Sequence, residues 1–417
     1  MRRLLFIFSF FCLPVASAGA QDTLALEDCL KIGIENNLSL QSKRKEIQKG
    51  RYGISENRAR LLPQINGFAN YNDNIAPPVS VTDGSAYGNP YNVTHTLQYS
   101  ANAGLQLQMP LYNQTLYTSI SIARTMDEMN RLTYEKARED LILQVCKMYY
   151  LGQVTAEQIA LIKANITRLE ELQNITQAFY DNGMAMEVDV KRVNINLENL
   201  KVQYDNAQAM LEQQLNLLKY IIDYPAEKQI ALVPVNTETI TPVALTGLSE
   251  NLYELQLLQS QRQLAEQQKK MIGYGYIPSL NLTGNWMFSA YTDKAYHWFH
   301  SGPSGHWYRS YGLGLSLRVP IFDGLDKRYK TRKAVIDIEN IKLAQENTRK
   351  NLQTQYLNAT NDLMNNQRNF KKQKDNYLLA EDVYTVTMDR YREGITSMTE
   401  VLQDEMRMSE AQNNYIS

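Results

Sequence analysis

The sequence predicts a mixed α/β membrane protein. Four long β-strands per chain complete a 12-stranded barrel in a trimer, and long coiled-coil helices form an α-barrel, in a tandem internal duplication. Period-2 runs too long for a soluble sheet carry that prediction. So do proline-free stretches too long for a globular helix, and landmarks that recur at a nearly constant offset.

The chain has 417 residues, with 43 Lys plus Arg against 44 Asp plus Glu and a formal charge of -1. That balance removes the cationic field that nucleic-acid binding needs, so no nucleic-acid partner is expected. Mean hydropathy is -0.42, which argues against a helical membrane protein. Three cysteines and four histidines leave little for a metal or redox site, and no cofactor is expected. At the start, Arg2 and Arg3 precede the apolar run Leu4 to Val15, and Ala18-Gly19-Ala20 fits a cleavage site. Residues 1–20 therefore read as a signal peptide, too short in its apolar run for a membrane anchor. Cys12 leaves with it, while Cys29 and Cys146 read as two free, buried cysteines, with a disulfide between them as the alternative an oxidising compartment allows. Asn-x-Ser/Thr triplets, such as those at Asn165, Asn174 and Asn358, fall mostly in predicted helices and read as chance matches.

Residues 21–62 read as a helix with an imperfect apolar stripe through Leu26, Leu30, Ile34, Leu38 and Leu40, ended by Leu62-Pro63. Strands with a connecting extracellular loop then occupy 63–110. Ile65, Gly67, Ala69 and Tyr71 alternate with Asn66, Phe68, Asn70 and Asn72. The stretch from Asn74 to His95 is polar and rich in turn formers. Leu97 to Met109 alternates over 13 residues, with Pro110 expected to close it. That is about twice the usual strand length, and it suits a tilted strand crossing a membrane.

A long helical hairpin is expected over 111–224. Helix from Thr118 to Tyr180 would be 63 residues, about 95 Å at 1.5 Å each. Gly183, after Asp181-Asn182, marks the turn to the return helix. A linker follows over 225–250. The pattern then repeats as a helix over 251–277, strands with a loop over 278–322, and a second long helical hairpin over 323–417. Pro278 follows Pro63 by 215 residues, Pro320 follows Pro110 by 210, and Gly394 follows Gly183 by 211. Such landmarks across unlike elements indicate duplication.

Oligomerisation follows from lipid chemistry. An open sheet edge leaves backbone groups unpaired in hydrocarbon, and four strands are half the smallest membrane barrel. Three chains supply twelve strands and room for an aqueous lumen. The long helices carry thin apolar stripes, as at Ile122, Met126, Met129 and Leu132, which suit contacts with two neighbours in a ring.

Several motifs place the chain by resemblance. The opening Thr23-Leu24-Ala25-Leu26-Glu27-Asp28, with Glu35-Asn36-Asn37, is one. Arg60-Leu61-Leu62-Pro63-Gln64 and Gly275-Tyr276-Ile277-Pro278-Ser279-Leu280 are two more. Pro320-Ile321-Phe322-Asp323-Gly324 and Tyr391-Arg392-Glu393-Gly394 complete the set. In this order and spacing the chain resembles the TolC family of outer-membrane efflux proteins over essentially its whole mature length. The resemblance implies a homotrimer in outer-membrane lipid, with a 12-stranded β-barrel and a long periplasmic α-barrel. It also implies a periplasmic adaptor and an inner-membrane pump as partners, with a passive conduit for efflux or type I secretion and no catalysis.

By position relative to Gly394, the family's acidic aperture residues fall at Glu400 and Gln403. The second is an amide with Asp404 beside it, and Asp189 takes the place equivalent to Glu400 in the first half. The expected aperture residues are therefore Asp189, Glu400 and Asp404. Rings of negative charge there would favour cations, whereas pairing with Arg192 and Arg407 would make them ordinary helix charges. The tip residues expected to dock the adaptor are Asn182, Gly183 and Met184 on one hairpin, and Gly394, Ile395 and Thr396 on the other. The second half stops at Ser417, about 18 residues before the point that the first half reaches.

Aromatic residues near the strands, including Tyr71, Tyr99, Trp286, Trp307 and Tyr311, read as an interfacial belt. His297, His300 and His306 read as a surface loop. No nucleophile elbow, phosphate loop or zinc-protease motif occurs, so an enzyme is not expected. Two rival readings are a secreted coiled-coil adhesive protein and a general porin. The first has no lumen or adaptor, and the second needs many more strands per chain.

Overall fold

The computed structural model describes residues 22–83, 88, 90–234, 247, 249, 251–296, 298–299 and 306–416. The signal peptide expected over 1–20, together with His297 and His300, lies outside the described residues. The first half holds β1 (Asp22–Leu24), α1 (Leu26–Asn36), α2 (Leu38–Ala59), β2 (Gln64–Asp73), β3 (Val79–Asp83), β4 (Tyr91–His95), β5 (Tyr99–Tyr112), α3 (Gln114–Asp181) and α4 (Glu187–Ile222). The second holds β6 (Ile230–Leu232), α5 (Tyr253–Tyr274), β7 (Ser279–Thr292), β8 (Trp307–Arg318), α6 (Asp326–Arg392) and α7 (Met398–Ile416).

The chain divides into two compact units. One comprises Arg44–Thr133 and Asn251–Arg349. Its centre is a four-stranded antiparallel sheet in the order β2-β5-β7-β8. Strict alternation leaves little freedom of register, because a slip of one residue would swap every side chain to the other face. The observed pairs keep like with like, as in Ile65↔Leu107, Leu107↔Gly284 and Gly284↔Leu313.

Two expectations in this unit need correction. Pro110 does not close β5, which runs on to Tyr112 with a register shift between Pro110 and Tyr112. A proline lacks an N–H to donate, and a bulge lets the ladder continue past it. The polar stretch between β2 and β5 is not wholly loop either. Val79↔His95, Val81↔Val93 and Asp83↔Tyr91 pair β3 with β4 in an antiparallel hairpin.

The other unit comprises Met1–Lys43, Tyr134–Glu250 and Lys350–Ser417. The single helix expected over 21–62 is instead a short strand followed by two helices. β1 pairs in parallel with β6 inside the expected linker. Asn37 breaks the helix in two: its backbone N–H donates to Gly33 and its Oδ1 caps Leu40 N–H at 2.9 Å. Its amide nitrogen also donates to Ile221 C=O at 2.8 Å, which ties the break to α4. One side chain thus ends α1 and starts α2.

Two apolar clusters hold this unit. Around β1, Leu24, Cys29, Leu40, Val145, Tyr149, Leu218, Ile222 and Ile230 pack together, and Tyr149 Oη donates to Leu24 C=O at 3.1 Å. The second cluster gathers Ile162, Leu169 and Leu172 of α3 with Val193, Leu197 and Leu200 of α4. Tyr384, Met388 and Tyr391 of α6 join it, with Met398, Val401, Leu402 and Met408 of α7. These are the thin stripes of four helices brought face to face, as coiled-coil packing requires.

Both cysteines are free, but only Cys29 is buried, and Cys146 is half-buried rather than buried as expected. Burial pushes the Cys29 thiol up to about 11. At pH 8 that leaves roughly 0.1% thiolate, the reactive form. Iodoacetamide at pH 8 should therefore modify Cys146 well before Cys29, read by peptide mass after timed quenching. Equal rates would contradict the packing around Cys29.

Candidate conduit wall and aperture

Register alone builds the first candidate surface. On one face of the sheet, β2 presents Gln64, Asn66, Phe68, Asn70 and Asn72, beside Gln108, Gln106, Gly104, Asn102 and Ser100 of β5. The same face continues through Thr283, Asn285, Met287 and Ser289 of β7 to Gly314, Gly312, Ser310 and Tyr308 of β8. Apart from Phe68 and Met287 it is a lattice of amides, hydroxyls and glycines, and Asn70 Nδ2 donates to Asn102 Oδ1 across it at 2.9 Å. The opposite face is apolar, with Ile65, Leu105, Leu107, Leu282, Trp286, Leu313, Leu315 and Leu317. Among the described residues no strand pairs with β2 or β8 on its free side. A sheet wet on one face, oily on the other and open at both edges is a segment of wall. No helix among the described residues is long and apolar enough to cross a membrane.

The two helical turns form the second candidate surface, and they are near-copies of each other. Gly183 has φ +74 and Gly394 has φ +75. In the first turn Gly183 N–H donates to Tyr180 C=O at 2.9 Å and Met184 N–H to Phe179 C=O at 2.8 Å. In the second, Gly394 N–H donates to Tyr391 C=O at 2.9 Å and Ile395 N–H to Arg390 C=O at 2.8 Å. These are Schellman-type ends, whose left-handed residue costs an L side chain about 1 kcal/mol. Asn182 Nδ2 reaches back to Ala178 C=O at 2.7 Å. Met184 and Ile395 are exposed, at 68% and 60%. Apolar side chains this open on a tight turn leave surface for a partner.

The three acidic residues share one end of the unit but not one environment. Asp189 Oδ1 pairs with Arg192 Nη1 at 3.1 Å, and the same nitrogen lies 3.4 Å from Thr399 Oγ1 of α7. Glu400 is exposed and accepts a hydrogen bond from Thr396 Oγ1. Asp404 is buried at 7% exposure, accepts from Thr387 Oγ1 at 2.8 Å and pairs with Arg407 at 3.1 Å. Both pairings with Arg192 and Arg407 weighed from the sequence therefore occur. Arg392 Nη2 and Glu171 Oε1, 2.5 Å apart, join α6 to α3 beside these groups.

Sequence reading missed a polar seam inside the apolar cluster. Asn165 Nδ2 donates to Gln412 Oε1 at 3.1 Å and 3.3 Å away meets Ser409 Oγ, while Arg168 donates to Asn165 Oδ1. Glu405 is 4% exposed, and its Oε1 has no hydrogen-bond partner among the described residues. The available signal was spacing, since Glu405 lies four residues after Val401 and three before Met408, on the apolar stripe.

Burial pushes the Glu405 carboxyl above the usual range, opposed only in part by the Arg168 guanidinium. The packed state thus holds a proton that the unpacked state has lost. Its stability is full below the unfolded value near 4.5 and falls as pH rises toward the raised packed value. Glu405→Gln should make the helical unit more stable than the wild type as pH rises above the unfolded value near 4.5, and should flatten the pH dependence of its melting temperature there. A variant whose pH dependence matches the wild type would refute that assignment.

Among the described residues, no group of three or more His, Cys, Asp or Glu side chains could hold a metal ion. The family model for outer membrane efflux proteins matches residues 31–222 and 248–417. The chain is 22% identical over 309 residues to outer membrane protein TolC of Vibrio cholerae serotype O1, covering 72% of this chain and 65% of that protein. It thus spans a little under two thirds of that relative. It is 23% identical over 409 residues to the probable efflux pump outer membrane protein TtgC of Pseudomonas putida, covering 94% and 79%. Among solved structures it is similar in fold to CusC, at TM-score 0.77 and 15% identity over 94% of this chain and 87% of that one.

Proposed function

The chain belongs to the outer membrane efflux protein family, and from that membership we propose that it is the outer-membrane exit duct of a tripartite efflux or type I secretion assembly. It conducts passively and is energised by an inner-membrane partner. The observation that carries this reading is the two-faced, four-stranded sheet with both edges unpaired. Lipid admits no open edge, so β8 of one protomer pairs with β2 of the next. Three protomers close twelve strands, with the Asn, Gln, Ser and Gly face inward and the Leu and Trp face outward. The long helices extend the lumen into the periplasm.

The recurrence of helix, two long strands and helical hairpin in both halves supports a tandem duplication. It supports reading 21–62, 63–110 and 111–224 as recurring in 251–277, 278–322 and 323–417 on either side of the linker 225–250, with the first strand segment extended to Tyr112. Asn182, Gly183, Met184, Gly394, Ile395 and Thr396 form the tips that meet a periplasmic adaptor, their exposed Met and Ile side chains supplying the contact. Glu400 faces the aperture and, repeated threefold, favours cations, while Asp189 beside it contributes less because Arg192 offsets its charge. Asp404 serves the aperture from behind, holding α7 against α6 through Thr387.

Cysteine pairs test the closure. Single cysteines scanned along β2, each combined with one on β8, should give oxidised products of up to three chains and no larger. The absence of any cross-link, or an open-ended ladder, would contradict a closed trimer.

A further inference from the structure

We propose that Arg309 is the phosphate-binding point of a lipid-headgroup site on the outer rim of the barrel, a proposal that rests on the closed-barrel reading. The register puts Arg309 opposite Phe288, in line with Ala103 and Ala69, on the apolar face of the sheet. The next row toward the loops is Tyr71, Ala101, Ala290 and Trp307. The next row toward the helices is Gly67, Leu105, Trp286 and Tyr311. Beyond that the face is aliphatic, through Leu107, Leu313, Leu282, Leu315, Leu280 and Leu317. Among the described residues Arg309 is the one cation on this face, since Arg318 points to the other.

Height on the barrel follows from strand geometry. Arg309 stands eight residues from Leu317, about 27 Å along the strand and roughly 20 Å along the barrel axis at a usual tilt. It sits near the top of an apolar band typically about 25 Å tall. The aromatic pairs at this level mark the same boundary, with Trp286 edge-on to Phe288 at 5.5 Å and Tyr71 edge-on to Trp298 at 5.6 Å. This is the end where β7 connects to β8, whereas the opposite ends of β5 and β8 lead into α3 and α6. The boundary is therefore that of the outer leaflet.

A guanidinium held between aromatic rows at headgroup depth is weakly hydrated and offers a planar fork of donors that matches phosphate oxygens. Arg309 is exposed. Among the described residues the one anion on this face, Asp73, lies on the opposite edge strand of the same protomer, three strand spacings across and four residues further along, about 20 Å away. Its Oδ1 accepts from Gln98 Nε2 at 3.1 Å. Phosphate borne by an outer-leaflet lipid fits the charge, the geometry and the depth together.

The purified protein in neutral detergent micelles, shown to be trimeric by light scattering, supplies the test. Thermal unfolding is followed with phosphatidic acid, with diacylglycerol of the same acyl chains, and with inorganic phosphate. Phosphatidic acid should raise the melting temperature by several degrees, and the other two should leave it nearly unchanged. Arg309→Gln should abolish the difference between the two lipids, and Arg309→Lys should keep part of it.

An undiminished phosphatidic acid shift in Arg309→Gln would overturn the site, and so would an equal shift from inorganic phosphate in the wild type. Loss of stability in Arg309→Gln without added lipid, reproduced by Asp73→Asn, would assign Arg309 to a neighbouring protomer and also overturn it. If Arg309→Gln does not assemble, a phosphatidic acid shift in Arg309→Lys no smaller than the wild-type shift would do the same. A wild-type protein that is not a trimer would fail the barrel reading itself, before any lipid is added.

Discussion

Gly104→Val should abolish assembly of the proposed barrel. A Cβ at this position would collide with Trp286 C=O and lie 2.7 Å from Met287 Cα, so it meets main chain rather than a side chain that can swing aside. Gly104 pairs with Met287 at the centre of the β5–β7 ladder, and relief requires those strands to separate. In lipid each backbone group so released costs several kcal/mol, far more than the loss of one packing contact. Membrane-inserted oligomer should fall to background in a detergent extract resolved by size, while the chain is still exported. Gly67→Ala is the control, because its Cβ would meet only Leu105 Cδ2 at 3.8 Å, an ordinary contact. Normal oligomer from Gly104→Val would contradict the register.

Leu172→Asp unfolds the helical unit. Leu172 is fully buried in the cluster where α3, α4, α6 and α7 meet. Truncation to alanine there costs about 2–5 kcal/mol through lost burial and the cavity left behind. A carboxylate adds the cost of burying a charge among apolar side chains, which brings the loss toward the scale of a whole domain's stability of about 5–15 kcal/mol. Helical circular dichroism should melt tens of degrees early and trypsin should cut the long helices. Leu172→Met keeps volume and should cost less than about 1.5 kcal/mol. A Leu172→Asp protein that melts with the wild type would show that these helices are not packed through this cluster.

Elements governed by local chemistry were legible in the sequence. The period-2 runs through Ile65 to Tyr71 and Leu97 to Met109 announced strands and their two faces, because successive side chains in a strand must alternate. The lack of proline from Leu111 to Tyr224 announced the long helices. Gly183 and Gly394 announced the turns, and both adopt the positive φ that turn requires. The match to the outer membrane efflux family bears out the family resemblance drawn from the same motifs.

What escaped depends on partners far away in the chain. β1 exists because β6, about two hundred residues later, offers it a ladder. Asn37 breaks a periodic helix because its side chain bonds both to its own turn and to Ile221. Pro110 sits inside a strand because a bulge absorbs it, which the usual reading of proline as a terminator does not anticipate. The burial of Glu405 and Asp404 is a property of four helices at once. Its place beside Gln403 grouped Asp404 with Glu400, whereas the packing separates a buried carboxylate from an exposed one.

The central claim is that three chains enclose one conducting lumen. Single-channel recording in a planar bilayer, on protein whose mass has been fixed by light scattering, tests it most directly. A trimer should open an aqueous, cation-preferring conductance, with the preference lowered by Asp189→Asn or Glu400→Gln. A monomer that never conducts would contradict the claim.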